Sequence, residues 1–370
     1  MQIGVPKEVK NHEYRVGLTP AGAAHLIACG HQVKVQTGAG AAIGFDDDAY
    51  QASGATVVAS ATDAYSAELV VKVKEPQREE LPLIDAASTL FCYLHLAADA
   101  DLTKALLATG ATCIAYETVT TAGGELPLLV PMSQVAGRLA IQVGAAALTL
   151  ASGGRGVLLP GVPGVPPANV VILGGGTVGA NAARIAVGVG ADVTLLDNSP
   201  PRLRHLDDVF GARLKTVHAT PHAVAESVRS ADLVVGAVLL PAKRAPRLLS
   251  RAVVCTMIRG AALVDVSIDQ GGISDTSRPT THSDPTYIEE GVVHYCVTNM
   301  PAATARTSTL ALTEVTLPYV EALASNGIAA ATRADPGLRD GLNLHAGRVT
   351  CRPLAEDLDL PWTPPDDLGF

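Results

Sequence analysis

The chain has 370 residues, of which 48% are hydrophobic, and a formal net charge of −9. This length and apolar content are enough for two domains with buried cores, and the absence of long basic runs excludes a typical nucleic-acid or anionic-membrane surface. The six cysteines are scattered singly, which predicts buried thiols in a reducing compartment and neither a disulfide frame nor a metal site.

The N-terminus has no apolar signal segment, and the most apolar helical run, residues 139–151, is too short to cross a bilayer. We therefore expect a cytoplasmic protein with small-molecule partners, no nucleic acid and no membrane.

Short β-rich runs alternate with alanine-rich helical runs through most of the chain, which is typical of parallel sheets covered by helices. In the first third, strands are predicted near 2–5, 32–36, 69–73, 89–94 and 112–116. The predicted fold class is α/β, with two doubly wound, Rossmann-type domains and a cleft between them.

A helix is predicted over 133–151, followed by the Gly/Pro-rich segment 153–167, which reads as a loop and domain boundary. Gly137, Gly144 and Ala151 recur every seven residues on this helix and predict close approach of another helix, for which the run 307–323 is a candidate. From Asn169 a second series begins, with six apolar runs: NVVIL, DVTLL, RLKTV, DLVVGAV, AALVDV and VVHYCV.

The first turn of this second series carries the glycine pattern Gly174-x-Gly176-x-x-Gly179, between an apolar strand and an amphipathic helix. In a dinucleotide site these glycines allow a tight turn, approach of the backbone to a pyrophosphate and close helix–strand packing. The next strand ends in Asp197, which would bind the ribose hydroxyls and repel a 2′-phosphate. The pattern predicts NAD, and Arg202 could soften the preference. The alternative is a glycine-rich turn beside a surface aspartate.

Polar residues follow the predicted strands of the first domain: Arg15, Lys74, His95 and Glu117. Carboxyl ends of parallel strands meet at one edge of a sheet, where ligands bind. Arginine and lysine suit a small carboxylate, and a histidine can exchange a proton near neutral pH. The set predicts a 2-oxo or 2-amino acid site.

Each of these residues also has a structural alternative. Arg15 could pair with Glu13 or Glu8 at the surface, Lys74 could pair with Glu75, and His95 could be a hydrogen-bonded structural histidine. In the second domain Asp269 could take a proton or belong to a turn before Gly-Gly, and Asp265 inside its strand is interpreted as structural.

Several segments resemble the alanine dehydrogenase family, namely GVPKEVKNHEYRVGLTP, VVKVKEP, YLHLA, AYETV, LPLLVPMSQVAGR, VDVSIDQGG, RPTTHSDPTY and HYCVTNMPAATARTST. The resemblance extends to about residue 355. It implies a hexameric enzyme that interconverts L-alanine and pyruvate plus ammonia with NAD. It also implies a catalytic domain of residues 1–130 and 305–370 around an NAD domain of residues 131–304.

The resemblance assigns roles to residues of this chain. It implies that Arg15 and Lys74 bind substrate with Tyr93 and Met132, and that His95 and Asp269 are catalytic. The predicted cofactor-binding set is Ser133, Gly174, Gly176, Thr177, Val178, Gly179, Asp197, Arg202, Val238, Leu239, Asn299 and Met300.

The chain departs from the family pattern at Gln134, where a glutamate is usual, and in the segment LPAKRAP, residues 240–246. Three other functions stay open: a dehydrogenase of another small amino or imino acid, a hydride-transfer module like the NAD(H) component of transhydrogenase, and a non-catalytic NAD sensor. The complete set of Arg15, Lys74, His95 and Asp269 favours the enzyme.

Overall fold

The computed structural model describes residues 1–238 and 245–370 and divides into two compact units. The first unit comprises Met1–Met132 and Thr304–Phe370, and the second comprises Ser133–Ala303. Both units are α/β, as predicted from the alternation of apolar runs. Among the described residues no helix is long and apolar enough to cross a membrane.

Helices and strands alternate along the chain. Up to residue 147 they are β1 (Gln2–Val5), α1 (Pro20–Ala28), β2 (Gln32–Gln36), α2 (Asp47–Ala52), β3 (Thr56–Val58), α3 (Ala61–Tyr65), β4 (Leu69–Val71), β5 (Thr89–Cys92), α4 (Ala100–Thr109), β6 (Thr112–Ala115) and α5 (Val130–Ala147). The following part, up to residue 295, contains β7 (Asn169–Leu173), α6 (Thr177–Gly188), β8 (Asp192–Asp197), α7 (Pro200–Phe210), β9 (Lys215–His218), α8 (Pro221–Arg229), β10 (Leu233–Gly236), α9 (Arg251–Val254), β11 (Ala262–Asp265), β12 (Thr286–Glu289) and β13 (Val292–Tyr295). The C-terminal part contains α10 (Ala305–Asn326), α11 (Ile328–Ala334), α12 (Pro336–Asp340), β14 (Leu342–His345), β15 (Arg348–Val349) and α13 (Arg352–Leu358).

The sheet of the first unit has eight strands in the order β15-β14-β6-β5-β4-β1-β2-β3. The strands β1 to β6 are parallel, while β14 pairs antiparallel with both β6 and β15. From β1 the chain builds the sheet first toward β3 and then, from β4, in the opposite direction. The switch point of this sheet therefore lies between β1 and β4, which is where doubly wound sheets bind ligands.

The sheet of the second unit has the order β12-β13-β11-β10-β7-β8-β9. The six predicted runs form its parallel strands in the order of a dinucleotide-binding fold, and its switch point lies between β7 and β10. The edge strand β12 is antiparallel and was not predicted.

The glycine stripe of α5 makes close contacts, but its neighbours differ from the prediction. A Cβ on Gly137 would lie 2.2 Å from the carbonyl oxygen of Val178 in α6, and one on Gly144 would lie 2.7 Å from the side chain of Leu233 in β10. The small residues thus let α5 pack on its own unit, and the predicted partner, the run 307–323, was wrong for these two positions.

Candidate active site

The predicted substrate residues of the first unit follow β1, β4 and β5, around the switch point of its sheet. Arg15 lies in the loop after β1, Lys74 lies three residues after β4, and Tyr93 and His95 follow β5. Because these strands are parallel neighbours, the residues that follow their carboxyl ends come together although they are far apart in sequence.

Arg15 is only 2% exposed, and its guanidinium is held by a glutamate. Its Nε donates to Oε1 of Glu13 at 2.7 Å, its Nη2 donates to Oε2 at 2.5 Å, and its Nη1 contacts Sδ of Met132 at 3.0 Å. Burial opposes the charge, but the carboxylate of Glu13 outweighs it, and the pKa of Arg15 is raised. Arg15 does pair with Glu13, which was one of its structural alternatives. The pair is buried and not at the surface, and it fixes the direction of the guanidinium.

Lys74 and His95 are in direct contact, with Nζ of the lysine 3.2 Å from Nε2 of the histidine. An ammonium group can only donate, so Nε2 accepts and the neutral ring carries its proton on Nδ1. Packing around the ring, and then the positive charges of Lys74, Lys10 and Arg15, lower the pKa of His95 well below its ordinary value, although the residue is exposed to solvent. A neutral imidazole at this position can accept a proton.

The backbone of His95 is in the left-handed region, with φ of 49°. A non-glycine residue seldom adopts this conformation unless its surroundings hold it there, and such residues cluster at functional sites. The carboxylate of Glu117, which follows β6, accepts hydrogen bonds from the backbone N–H groups of Leu94, at 3.2 Å, and His95, at 2.6 Å. Glu117 therefore holds the segment that presents the imidazole.

A second glutamate, Glu8, accepts hydrogen bonds from the backbone just after β4 in the same way. Its Oε1 accepts from the backbone N–H groups of Val73 at 2.6 Å and Lys74 at 3.3 Å, and its Oε2 lies 3.2 Å from Nζ of Lys72. Lys72 is fully buried and also pairs with Glu80 at 2.7 Å. The strand predicted to extend to residue 73 ends at Val71, and Lys72 beyond it belongs to a buried ion pair.

Tyr93 and Met132 lie beside these groups. The Tyr93 ring stacks on His95 with centroids 5.9 Å apart, and its hydroxyl donates to the Leu128 carbonyl at 2.5 Å. Burial raises the pKa of Tyr93; the positive charge of Arg15 opposes this and the negative charge of Glu117 adds to it, so the phenol stays protonated. The structure thus brings together all five residues predicted in this unit: Arg15, Lys74, Tyr93, His95 and Met132.

In the second unit, the glycine loop between β7 and α6 fits a dinucleotide phosphate. Gly174 has φ of 104°, and a Cβ on Gly179 would lie 1.8 Å from the carbonyl oxygen of Gly174. Nothing lies within 4 Å of the position of a Cβ on Gly176, so a group can approach the backbone there. Thr177 and Val178 open α6, whose first N–H groups favour an anion. The Val178 side chain is buried in the core, which leaves its backbone for such a contact.

Asp197 ends β8 next to this loop. Its Oδ2 accepts from the backbone N–H of Gly175 at 2.7 Å and its Oδ1 accepts from that of Ser199 at 2.8 Å. Each carboxylate oxygen has a second acceptor direction, which a ribose hydroxyl can use. Arg202 donates through Nε to the Gly175 carbonyl and thereby ties α7 to the loop.

The other predicted residues of the second unit occupy different environments. Asp269 is exposed in the turn Val266–Gln270 after β11, Ser133 is half-buried in α5, and Asn299 has φ of 58°. The Val238 carbonyl accepts from Ser267 Oγ at 2.7 Å, and Met300 is buried in the core. Leu239 and most of the LPAKRAP segment lie outside the described residues.

Asp265 is structural, as its place in the strand predicted. It is fully buried, and it accepts from the backbone N–H of Ser267 and Ile273 and from the Ser277 hydroxyl, at 3.1, 2.8 and 2.6 Å. These bonds hold the loop that carries Asp269.

Two family models cover the chain. Residues 4–136 match the N-terminal domain of alanine dehydrogenase/PNT, and residues 140–352 match its C-terminal domain. The chain belongs to the alanine dehydrogenase/PNT family. Membership implies a nicotinamide dinucleotide as the cofactor and small molecules as substrates.

Similar relatives in this family span the full chain. An alanine dehydrogenase of Halomonas elongata is 56% identical over 98% of both chains, and one of Bacillus subtilis is 51% identical over 98% of this chain and 96% of its own. A solved L-alanine dehydrogenase is 49% identical, covers 97% of this chain and 99% of its own, and has a TM-score of 0.95. A transhydrogenase from Sinorhizobium meliloti covers 95% and 99% with a TM-score of 0.80, but at 22% identity it shares only the fold.

Proposed function

We propose that this protein catalyses the NAD-dependent, reversible oxidative deamination of L-alanine to pyruvate and ammonia. The similar full-length relatives are named alanine dehydrogenase, which supports this proposal. The observation that carries the proposal is the cluster of Arg15, Lys74 and His95 at the switch point of the first sheet. A transhydrogenase-type hydride-transfer module, the main alternative, would not need this carboxylate-binding set.

The substrate carboxylate binds to Arg15 with the help of Lys74. Glu13 engages Nε and Nη2, so the guanidinium is oriented before substrate arrives, and Nη1 faces the thioether of Met132, which is a weak acceptor. A carboxylate at this position gains a charge-assisted hydrogen bond from a group that is already desolvated and directed. The ammonium of Lys74 adds a second positive charge.

The cofactor is NAD, held by the glycine loop and the first turn of α6, with Asp197 on the ribose. Ser133, Val238, Leu239, Asn299 and Met300 complete the proposed set, and Arg202 acts through the loop carbonyl that it binds. When bound, the nicotinamide supplies the acceptor for the hydride that leaves Cα of alanine.

His95 handles the proton that the hydrolytic half of the reaction requires. Loss of hydride leaves iminopyruvate, and water adds to its C2 atom while the neutral imidazole accepts a proton from that water. The imidazolium returns this proton to the nitrogen, and the C–N bond breaks as the C2 hydroxyl gives its own proton to a second group, so that ammonia departs and the carbonyl of pyruvate forms. Asp269 is the proposed second proton-transfer group.

We also place the enzyme in the cytoplasm as a homohexamer. Exposed apolar side chains on the segment 153–167 support an oligomer, with Leu158, Val162 and Val165 between 53% and 60% exposed. Apolar side chains grouped on one loop are typical of surfaces that pair with another chain.

The test is the formation of reduced nicotinamide by purified protein supplied with NAD and L-alanine, beside glycine, serine, lactate and NADP. The matched control is His95→Ala, which should lose turnover by about 100-fold or more and keep nearly normal NAD binding. The proposal is supported if the parent protein turns over alanine with NAD and His95→Ala does not. Tight binding of reduced cofactor without turnover of alanine would refute the substrate and keep the cofactor site.

A further inference from the structure

A second cluster of reactive side chains lies on α1 and α10 of the first unit, apart from the residues described above. It consists of His25, Cys29 and Glu321, and within the described part of the chain it is the one group of three or more histidine, cysteine and acidic residues close enough to share a metal ion. None of the three belongs to the proposed catalytic, substrate-binding or cofactor-binding set. We propose that these residues form a zinc site that links the two helices.

The spacing and the fold bring the ligands together. His25 lies in the last turn of α1, and Cys29 caps that helix four residues later, so both side chains lie on one face. Glu321 comes from α10, almost three hundred residues away in sequence. The singly placed cysteines predicted no metal site, and only the packing of α1 near α10 brings this third ligand to the other two.

The distances are close to those of a tetrahedral ion. His25 Nε2 lies 2.8 Å from Glu321 Oε2, Cys29 Sγ lies 3.7 Å from Glu321 Oε1, and Cys29 Sγ lies 3.9 Å from His25 Nε2. With zinc bonds of about 2.0 Å to nitrogen and about 2.3 Å to sulfur, tetrahedral ligands lie about 3.3–3.5 Å apart. One oxygen of Glu321 would bind the ion, and with one ligand atom from each residue the three atoms lie within 4.8 Å of one another, so side-chain adjustments of about 1–1.5 Å suffice.

The donor set favours zinc over the hard divalent ions. Thiolate and imidazole suit zinc, whereas magnesium and calcium require oxygen ligands. Three protein ligands and the exposed position leave the fourth place for water. On binding, the Cys29 thiol loses its proton to solvent, and His25 keeps its proton on Nδ1 and coordinates through Nε2.

The two helices are held in place beside the cluster without the ion. His31, just beyond α1, contacts Ser325 of α10 through Nε2 and Oγ at 3.0 Å, one turn from Glu321. The ligands are thus partly preorganised, and zinc binding should mainly tighten the contact between α1 and α10.

The experiment uses the full-length protein, freed of metal by a chelator and kept reduced. Cobalt(II) is titrated and read by the visible bands of tetrahedral cobalt and by the thiolate-to-cobalt band in the near ultraviolet, and zinc is then added to displace it. We expect one cobalt per chain, complete displacement by zinc, and a higher thermal unfolding temperature with zinc than without.

The variants are Cys29→Ser and His25→Gln, with Cys255→Ser as the matched control because Cys255 is another exposed cysteine that contacts a glutamate, Glu290. Cys29→Ser should remove the thiolate band and lower the affinity at least about tenfold, His25→Gln should also weaken binding, and Cys255→Ser should behave as the parent. All three should keep their activity, which also shows that they fold. Absence of tetrahedral bands in the parent, or equal spectra in the parent and Cys29→Ser, would overturn the proposal whatever the outcome for alanine turnover.

Discussion

The pKa of His95 is set by burial of its ring and then by the positive charges around it. Packing around the ring and the neighbouring cations oppose a second proton, so the pKa of His95 lies well below its ordinary value and the ring is neutral near pH 7. A neutral imidazole is the form that can accept the proton of an attacking water. The unfolded chain binds a proton at this site below about pH 6.5, whereas the folded chain binds it only at a lower pH, so the folded state loses stability as the pH falls from about 6.5 toward the lowered pKa.

Lys74 should be the largest single charge that acts on His95. Replacing it, as Lys74→Met, should raise the pKa of His95 toward the ordinary value, because the ammonium at 3.2 Å is removed. Titration of the imidazole signals by NMR measures this directly. Lys34→Met, which removes a lysine of the same unit bonded to Ser66, is the control. An unchanged His95 titration in Lys74→Met would show that the lysine does not set it.

Arg15→Met should mainly raise the KM for pyruvate, because a directed guanidinium is lost from the carboxylate site. The same change leaves the buried carboxylate of Glu13 without its partner, which costs stability. The double variant Arg15→Met/Glu13→Gln removes that unpaired charge, so its KM reports substrate binding without the loss of stability. Steady-state kinetics with an unaltered KM in the folded double variant would place the substrate carboxylate elsewhere.

Asp197→Ser should relax the preference for NAD over NADP, since the serine removes the negative charge that repels a 2′-phosphate and keeps one acceptor for the loop. The ratio of kcat/KM for the two cofactors is the measurement. The control is Asp192→Ser at the other end of β8, where the aspartate pairs with Lys215 at 2.6 Å. Equal ratios in the parent and Asp197→Ser would exclude the ribose role.

At the scale of the element, the backbone that follows β4 and β5 is held by buried glutamates. The last N–H groups after β4 and after β5 donate to buried glutamates, Glu8 and Glu117, that come from adjacent parts of the sheet. Burial raises the pKa of both carboxyls, and the hydrogen bonds favour their charged form. The backbone that carries the proposed substrate-binding and catalytic residues is thus held in one conformation, as a site with precise geometry requires.

Glu117→Gln should lower kcat roughly tenfold, because one amide oxygen replaces two carboxylate oxygens and cannot hold both N–H groups as well. We expect the KM for NAD and the thermal midpoint to change little, and the NMR signals of the His95 ring to shift. Glu125→Gln, at an exposed glutamate, is the control. A loss of stability that accounts for the whole loss of activity would make Glu117 structural rather than positioning.

At the scale of the whole molecule, the proposed hexamer predicts that the segment 153–167 is covered in solution. Leu158→Glu should shift the protein to smaller species in size-exclusion chromatography with light scattering, because a charge in an apolar contact is not compensated. Val209→Glu is the control, at an apolar residue of α7 that is 44% exposed. If the parent is a monomer, or if both variants keep its mass, the segment has another role.

Local patterns in the sequence were enough to predict the glycine loop and the parallel strands of both sheets except β3, because each depends on residues that are neighbours along the chain. The predicted ends of the strands were less accurate. Strands predicted to residues 73 and 94 end at Val71 and Cys92, since Glu8 and Glu117 take the N–H groups beyond them. The strands β3, β12, β14 and β15 were missed, being short or at a sheet edge, where pairing depends on neighbours distant in sequence.

The sequence by itself determined the fold class, the family and the types of residue at the ends of the strands, because these follow from periodicity, motif spacing and side-chain chemistry. Only the tertiary structure decided which charges meet. It pairs Arg15 with Glu13 in a buried position, sets Lys74 against His95, and brings Glu321 to His25 and Cys29. Hydrogen bonds and ion pairs act over a few ångströms, and residues distant along the chain come that close only when the sheets and helices have packed.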